Sequence, residues 1–379
     1  MSILFSHARK LDAAGLVDDF WMRVNGNSIV ETGAGAPPTD NDHETIDVGG
    51  QWLTPGFLDL HSHGGGGFSY EGGTEAITNA LATHRAHGTT RSVISLVTNP
   101  IAELEASLGV IAGLAASDPL ILGSHLEGPF LSPARRGAHN SAYLLDPQPA
   151  ALDRLLDAAR GSLRQVTLAP ELPNAFELIN VLVEADVVVA IGHTEADFAT
   201  ARRAFDSGAR LLTHAFNAMP GIGHRAPGPV VAAFEDSRIT LELILDGEHV
   251  HPDVAALAFR STPGHIALVT DAMAAAGSHD GQYVLGSLSV EVHDGIAHLE
   301  GTDSLAGSTL TQDRELWVAV ERAGVAPVAA VEALTLTPAR VLGLDKHHGL
   351  LAPGYVADAV QLDAQWTAER VWANGIRLS

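Results

Sequence analysis

Metal-competent side chains stand directly or shortly after apolar, β-branched runs of this chain. They are four imidazoles and two carboxylates: His61, His63, Glu127, His193, His214 and Asp271. Zn²⁺ and Fe²⁺ accept mixed nitrogen and oxygen ligands of this kind, whereas Mg²⁺ and Ca²⁺ prefer shells made of oxygen. The pattern predicts a transition-metal site, on the condition that the fold brings the ends of these runs together.

Each of these side chains also has a simpler structural explanation. A lone histidine at the end of a strand is commonly a hydrogen-bonded structural residue. Glu127 could form a salt bridge, and Asp271 could cap the helix that follows it. The agreement of all six positions with the ends of apolar runs favours one common site over six unrelated roles.

The scarcity of lysine excludes one type of metal bridge. Some binuclear barrel hydrolases join their two metals through a carboxylated lysine at the end of a strand. Lys10 and Lys346 are the only lysines, and both lie outside the apolar runs. If two ions bind, we expect Glu127 to be the carboxylate that they share.

Eight apolar runs predict buried parallel strands. They are Leu53–Leu60, Thr89–Val97, Leu120–Leu126, Gln165–Ala169, Val187–Ile191, Arg210–Thr213, Ile239–Leu245 and Ile266–Thr270. Between them lie helical patterns, among which are Thr74–Ala86, Ile101–Ala116, Ala150–Ala159, Glu195–Phe205 and Asp253–Arg260.

This alternation over about 250 residues is typical of an α/β fold of the (β/α)8 TIM barrel type. The active site of such a barrel lies at the C-terminal ends of its strands, where the six side chains fall. A doubly wound sheet alternates in the same way, but no G-x-G-x-x-G motif follows the first run. The barrel is therefore the better prediction.

The two ends of the chain share a different character. Short strand-like runs separated by Gly, Asn and Pro occur at Ile3–Phe5, Trp21–Val24, Ser28–Glu31, Thr45–Val48, Val356–Asp363 and Val371–Leu378. Asn374-Gly375 is a hairpin-turn signal. We predict a small β-sandwich domain formed from residues 1–52 and 347–379, with the barrel domain at residues 53–346.

Composition limits the possible partners. The chain has 379 residues, 46% of them hydrophobic, and a formal net charge of −23, which would repel nucleic acid and anionic membranes. There is no cysteine, so disulfides and thiolate metal sites are excluded. Neither a signal peptide nor an apolar run of about 18 residues is present, so we expect a cytoplasmic protein without a membrane partner.

Five short motifs carry a resemblance to a known family. The first is PGFLDLHSHG at residues 55–64. The others are HLEGPF at 125–130, GHT at 192–194, THAFNAM at 213–219 and VTDA at 269–272. The first motif resembles the first-strand signature of the amidohydrolase superfamily, and the others resemble its N-acetylglucosamine-6-phosphate deacetylase family. A barrel capped by a sandwich from both termini is the usual architecture there.

The resemblance implies a function for the six side chains. The reaction would be deacetylation of N-acetyl-D-glucosamine 6-phosphate to D-glucosamine 6-phosphate and acetate, in amino-sugar catabolism and cell-wall recycling. Glu127, His193 and His214 would hold one metal, and Asp271 would be the catalytic acid/base as well as a possible ligand. His61 and His63 make a second ion chemically possible. The expected cofactor is Zn²⁺, or alternatively Fe²⁺, at one or two ions per subunit.

The resemblance also implies substrate contacts. They are Ala138, His139, Asn217, Ala218, Arg225, Asp246, Gly247, Glu248, His249, Leu305, Ala306 and Gly307. His139 would in addition stabilise the oxyanion that forms during amide cleavage. Within the family, the residues corresponding to Arg225 and His249 reach the substrate phosphate from the neighbouring subunit. This implies a small-molecule sugar phosphate as substrate and a homodimer, or a dimer of dimers, as the assembly.

Two other functions fit part of the pattern. A different amidohydrolase, such as a deacetylase of N-acetylamino acids or a cyclic amidase, would use the same metal residues without a phosphate site. A non-catalytic relative could keep the barrel as an assembly module, but such proteins usually lose metal ligands, and none is missing from this chain.

Overall fold

The computed structural model of the protein describes residues 2–38 and 43–379. Its centre is a sheet of eight parallel strands in which each strand pairs with the next one along the chain. These strands are Phe57–Ser62, Thr89–Val97, Ile121–Glu127, Leu163–Leu168, Val188–Ile191, Leu211–Leu212, Thr240–Leu243 and Ile266–Leu268. The predicted (β/α)8 barrel is confirmed.

Helices follow the barrel strands and pack their apolar faces on the sheet. The α-helices are Thr74–Ala86, Ile101–Ser117, Pro149–Ala159, Ala175–Glu184, Phe198–Asp206, Gly228–Phe234, Pro252–Ser261, Gln312–Trp317, Pro327–Leu334 and Leu336–Val341. The predicted helix at Thr74–Ala86 has the observed bounds. Among the described residues, no helix has the length and apolar content that crossing a membrane requires.

A second sheet is built from both ends of the chain, as predicted. Its eight strands are Ser2–Asp12, Gly15–Asn25, Ser28–Ala34, Glu44–Asp47, Trp52–Pro55, Ala359–Leu362, Ala368–Ala373 and Ile376–Arg377. The sheet encloses a core of its own, in which the rings of Phe5 and Trp372 meet edge to face with centroids 4.9 Å apart. The predicted turn at Asn374 and Gly375 has φ angles of 53° and 73°.

The first predicted barrel strand, Leu53–Leu60, is wrong as a single element. Trp52–Pro55 pairs with Ala359–Leu362 in the terminal sheet, and the barrel strand begins only at Phe57. The chain changes sheets at Gly56, where a Cβ would overlap the side chain of Thr90 and lie 2.9 Å from Cβ of Asp358. The division into two domains, with its first boundary at residue 52, remains a prediction; the chain passes from the terminal sheet to the barrel at Gly56.

The barrel closes at the C-terminal ends of its first and eighth strands. These strands form no ladder with each other; they join through an isolated parallel bridge between Ser62 and Ala272. The amide of Asp271 donates to the carbonyl of His61 at 2.8 Å, and the amide of His63 donates to the carbonyl of Ala272 at 2.7 Å. The seam of the barrel is therefore made by residues of the predicted metal site.

A three-stranded antiparallel sheet follows the eighth barrel strand. Its strands are Gly281–Leu285, Leu288–His293 and Ile296–Leu299, none of which the sequence analysis predicted. Buried side chains from this sheet, such as Val290 and Ala297, pack with Met273 beside the eighth strand. The sheet therefore stands at the same end of the barrel as the six metal-competent side chains.

A buried arginine joins the barrel to the terminal sheet. Arg91, in the second barrel strand, donates from Nε to Asp358 at 2.6 Å and from a terminal nitrogen to the side chain of Asn374 at 2.9 Å. Its other terminal nitrogen donates to the carbonyl of Pro119 at 2.7 Å. The side chains of Arg91 and Asp358 are 6% and 9% exposed, so each buried charge is stabilised by the opposite charge of its partner.

We expect Arg91→Ala to destabilise the fold by about 3–5 kcal/mol, because it leaves the carboxylate of Asp358 buried without its partner. Urea denaturation followed by circular dichroism measures this change. Arg154→Ala is the matched control, since Arg154 makes an equally short bidentate pair with Glu105 on an exposed helix surface. Equal midpoints for the two variants would contradict the proposed role of Arg91.

Candidate active site

The six metal-competent side chains lie together at the C-terminal end of the barrel. His61 is within the first strand, Glu127 ends the third, and the others follow strand ends. His193, His214 and Asp271 have φ angles of 45°, 28° and 45°, in the left-handed region that non-glycine residues rarely adopt. Strain of this kind is retained where the surrounding structure holds a side chain in a required direction.

The carboxylate of Glu127 lies between two pairs of histidines. Its Oε1 is 3.1 Å from Nε2 of His193 and 3.0 Å from Nε2 of His214. Its Oε2 is 3.4 Å from Nε2 of His61 and 3.2 Å from Nε2 of His63. The Nε2 atoms within each pair are 3.0 Å and 3.1 Å apart. Glu127 therefore has the position expected of a carboxylate shared by two adjacent subsites.

Neighbouring acceptors determine which nitrogen of two of these histidines carries a proton. The carbonyl of Arg135 lies 2.8 Å from Nδ1 of His193, and Oε2 of Glu242 lies 3.3 Å from Nδ1 of His61. An Nδ1–H bond to each acceptor leaves Nε2 with a free lone pair, as metal ligation requires.

The donor set suits a metal ion. Lone pairs of two imidazoles would repel each other at 3.0 Å unless a cation lay between them, and ligands of one tetrahedral ion are separated by about 3–3.5 Å. His61, His63, Glu127 and Asp271 form one group that could hold an ion. This chain therefore contains a buried histidine–carboxylate cluster able to bind metal.

The buried carboxylates attract positive charge to the cluster. Burial alone lowers the pKa of His61 and His63, but Glu127 and Asp271 reverse this effect and raise the pKa of His63 to about 9 and that of His61 well above its usual range. Burial would raise the pKa of Glu127, but the charge of His61 and close contacts with three other histidines hold it well below its usual range. Protons and a divalent cation would therefore compete for this cluster.

Asp271 and His139 flank the cluster with different protonation states. Burial would raise the pKa of Asp271, but the charge of His61 and a hydrogen bond from His63 lower it to about 2, so it is an ionised base at neutral pH. Burial and the charge of His193 lower the pKa of His139 to about 4, so His139 is neutral. The amide of Thr98 donates to Nδ1 of His139 at 3.3 Å, which leaves the proton on Nε2, 3.4 Å from Oε2 of Glu127.

A cavity of about 450 Å³ opens over the cluster. Of the metal-competent side chains, His63, Glu127, His193, His214 and Asp271 line it, whereas His61 is fully buried behind them. Seven of the predicted substrate contacts also line it: Ala138, His139, Asn217, Ala218, His249, Leu305 and Gly307. The three-stranded sheet contributes Leu285, so the unpredicted element forms part of the wall.

Five predicted substrate contacts do not line this cavity within one chain. Asp246 and Glu248 line a smaller neighbouring cavity, and Ala306 is buried in a hydrophobic cluster. Gly247 precedes Glu248 with open space around its α-carbon. Arg225 lies exposed in the loop before the helix at Gly228–Phe234.

Sequence reasoning missed the polar layer beneath the cluster. Glu242, within the seventh strand, accepts from Gln165 at 2.9 Å and lies beside His61. His125, in the third strand, contacts Ser95 and Thr167 and stacks edge-on against His61. The available signal was a glutamate in the middle of the apolar run Ile239–Leu245, where only a partnered charge is tolerated.

The chain is similar to known proteins over most of its length. A family model described as the amidohydrolase family matches residues 52–375. An N-acetylgalactosamine-6-phosphate deacetylase of Escherichia coli O157:H7 is 36% identical over 97% of both chains. An N-acetylglucosamine-6-phosphate deacetylase of Bos taurus is 35% identical over 98% of this chain and 94% of that one.

Solved structures agree with these relatives. The N-acetyl-D-glucosamine-6-phosphate deacetylase of Mycobacterium smegmatis is 40% identical, with a TM-score of 0.94 and complete coverage of both chains. A mutant of the same enzyme in complex with N-acetyl-D-glucosamine-6-phosphate gives a TM-score of 0.95, with 100% of this chain and 99% of that chain covered. The barrel, its histidine–carboxylate cluster and these relatives together show that the chain belongs to the amidohydrolase family.

Proposed function

We propose that this protein deacetylates N-acetyl-D-glucosamine 6-phosphate to D-glucosamine 6-phosphate and acetate, in amino-sugar catabolism and cell-wall recycling in the cytoplasm. The observation that carries the proposal is the buried cluster around Glu127 at the floor of a sugar-sized cavity. Full-length similarity to a deacetylase solved with this sugar phosphate supports the choice of substrate.

The metal ligands divide into two sets that share Glu127. His193 and His214 complete the first set, and His61, His63 and Asp271 complete the second. We propose Zn²⁺, with Fe²⁺ as the alternative, as one or two ions per subunit. When bound, such an ion lowers the pKa of a water molecule and polarises the amide carbonyl.

Asp271 and His139 supply the proton transfers and the oxyanion contact. The ionised carboxylate of Asp271 takes the proton of the attacking water and delivers it to the departing amine. Nε2–H of the neutral His139 donates to the carbonyl oxygen as negative charge develops on it. Strain at Asp271 aligns the carboxylate before substrate arrives.

We further propose that Arg225 acts across a homodimer interface. Arg225 is exposed in its own chain and does not line its own cavity, which is consistent with a role in a neighbouring site. His249 lines its own cavity and bonds to Asp246 through Nδ1 at 2.7 Å, so its contact with substrate would come from the same chain. This assignment for His249 differs from the one that the family resemblance implies.

N-acetyl-D-galactosamine 6-phosphate is a second candidate substrate, because one full-length relative carries that activity in its name. The two sugars differ only in the configuration of one carbon that carries a hydroxyl group. Acetate release from each sugar phosphate and from free N-acetylglucosamine, with metal analysis of the same preparation, tests the proposal. We expect kcat/KM to be highest for the glucosamine derivative, and absence of acetate release from both phosphorylated sugars would refute the function.

We expect His63→Ala to reduce metal content from roughly two ions per subunit to roughly one and to lower activity only in part, because Glu127, His193 and His214 already form an open three-ligand site. Atomic emission spectrometry of the purified variant measures the content. His84→Ala is a control for loss of a buried histidine that is outside the cluster. Complete loss of metal from His63→Ala would mean that the two subsites are not separate.

We expect Asp271→Asn to lower kcat by at least ~10³-fold, because asparagine keeps the shape of the side chain but cannot carry the proton. Metal content and KM should stay close to those of the wild type. A variant that loses its metal, or that keeps more than about a tenth of its kcat, would assign the proton transfer to another group.

We expect Arg225→Ala and Asp271→Asn chains to complement each other when mixed. If Arg225 serves the neighbouring site, each mixed dimer contains one site in which both residues are intact, and part of the activity returns. Mass spectrometry of the mixture verifies subunit exchange. Activity that stays at the level of the separate variants after exchange would place Arg225 in its own site or outside the mechanism.

A further inference from the structure

A phosphorylated substrate poses an electrostatic problem for this cavity. The phosphate monoester carries about −1.5 to −2 charges at neutral pH. The cavity wall already contains the carboxylates of Glu127, Asp271 and Asp303, and the chain has a formal net charge of −23. Among the described residues that line the cavity, Arg135 is the only lysine or arginine.

The backbone of Arg135 is held firmly beside the cluster. Arg135 ends a short 3₁₀ turn, Pro133–Arg135, and its amide donates to the carbonyl of Ser132 at 3.0 Å. Its carbonyl is the acceptor for Nδ1 of His193, and the amide of Ser132 donates to the carbonyl of His193 at 2.9 Å. The turn is thus tied at two points to a predicted metal ligand, and Arg135 lines the cavity.

The guanidinium of Arg135 has no close partner among the described residues. Its Nε is buried and makes no hydrogen bond. The nearest carboxylate oxygen belongs to Glu195, at 3.9 Å, and the side chain of Glu195 is 53% exposed. His249, the other basic group on this wall that is outside the metal cluster and its neighbour His139, is already bonded to Asp246. Besides His249, which is proposed above to contact the substrate, Arg135 is therefore the basic side chain on this wall that remains available for a ligand among the described residues.

We propose that Arg135 binds the phosphate group of the substrate within its own chain. The proposal rests on the proposed function and adds a contact to it: each subunit supplies its own guanidinium, whether or not a neighbouring subunit supplies another. Arginine suits this role because its planar donors match two phosphate oxygens at once. The two terminal nitrogens of the guanidinium provide the pair of donors for such a contact.

The chain offers a matched control for the test. Arg136 follows directly, is exposed and does not line the cavity, so Arg136→Ala removes the same charge from the same turn without touching the proposed contact. We expect Arg135→Ala to raise KM for the phosphorylated sugar about tenfold, the lower end of the range for charged hydrogen bonds, because the side chain is partly exposed.

Several readouts separate phosphate binding from a structural role. Arg136→Ala should leave KM within about twofold of the wild type, and Arg135→Lys should recover part of the loss. Metal content and turnover of free N-acetylglucosamine should be unchanged in Arg135→Ala. Where turnover of the free sugar is too slow, calorimetric titration with glucosamine 6-phosphate and with glucosamine provides the same comparison.

Three results would overturn the proposal. They are equal KM values for Arg135→Ala and Arg136→Ala, equal losses on phosphorylated and free sugars, and loss of metal from Arg135→Ala. A failure of the proposed function is distinguishable from these, because the wild-type enzyme would then release no acetate from the phosphorylated sugar.

Discussion

The burial of one carboxylate governs the organisation of this site. Five histidine Nε2 atoms, those of His61, His63, His139, His193 and His214, lie within 3.4 Å of the two oxygens of Glu127, which is 3% exposed. A buried anion is tolerated only if positive charge is brought to it. The strained strand ends and the acceptors behind His61 and His193 direct Nε2 atoms toward Glu127, where they could hold a cation beside its carboxylate.

The cluster could be predicted from sequence because a barrel converts linear order into spatial proximity. Each strand contributes its end to one face, so Glu127 and His214 could be assigned together without any knowledge of their distance. Glu242 escaped prediction because its position inside an apolar run carries no information about which partner satisfies it. The position of Arg135 on the cavity wall was not predicted for a related reason, because the cavity is formed by segments that are distant in sequence.

Two differences between the predicted and the observed fold also arise from contacts between segments that are distant in sequence. The apolar run from Leu53 to Leu60 continues across the change of sheets, and the steric requirement for Gly56 comes from Thr90 and Asp358, which are remote in sequence. The three-stranded sheet at residues 281–299 alternates buried and exposed side chains, but its strands are short. Its burial depends on contacts with the eighth barrel strand, which a local pattern does not reveal.

The seam of the barrel has a consequence for synthesis of the protein. The first and eighth strands join through the bridge between Ser62 and Ala272, the backbone bonds beside it, and a hydrogen bond from the hydroxyl of Thr270 to Asp59. His61 leaves the ribosome early, whereas Asp271 follows after about 210 further residues, which take roughly 10–40 s to add. A nascent chain that ends before Asp271 can neither close the barrel nor complete the second ligand set. Hydrolytic activity therefore arises only late in translation, after most strands of the protein have been synthesised.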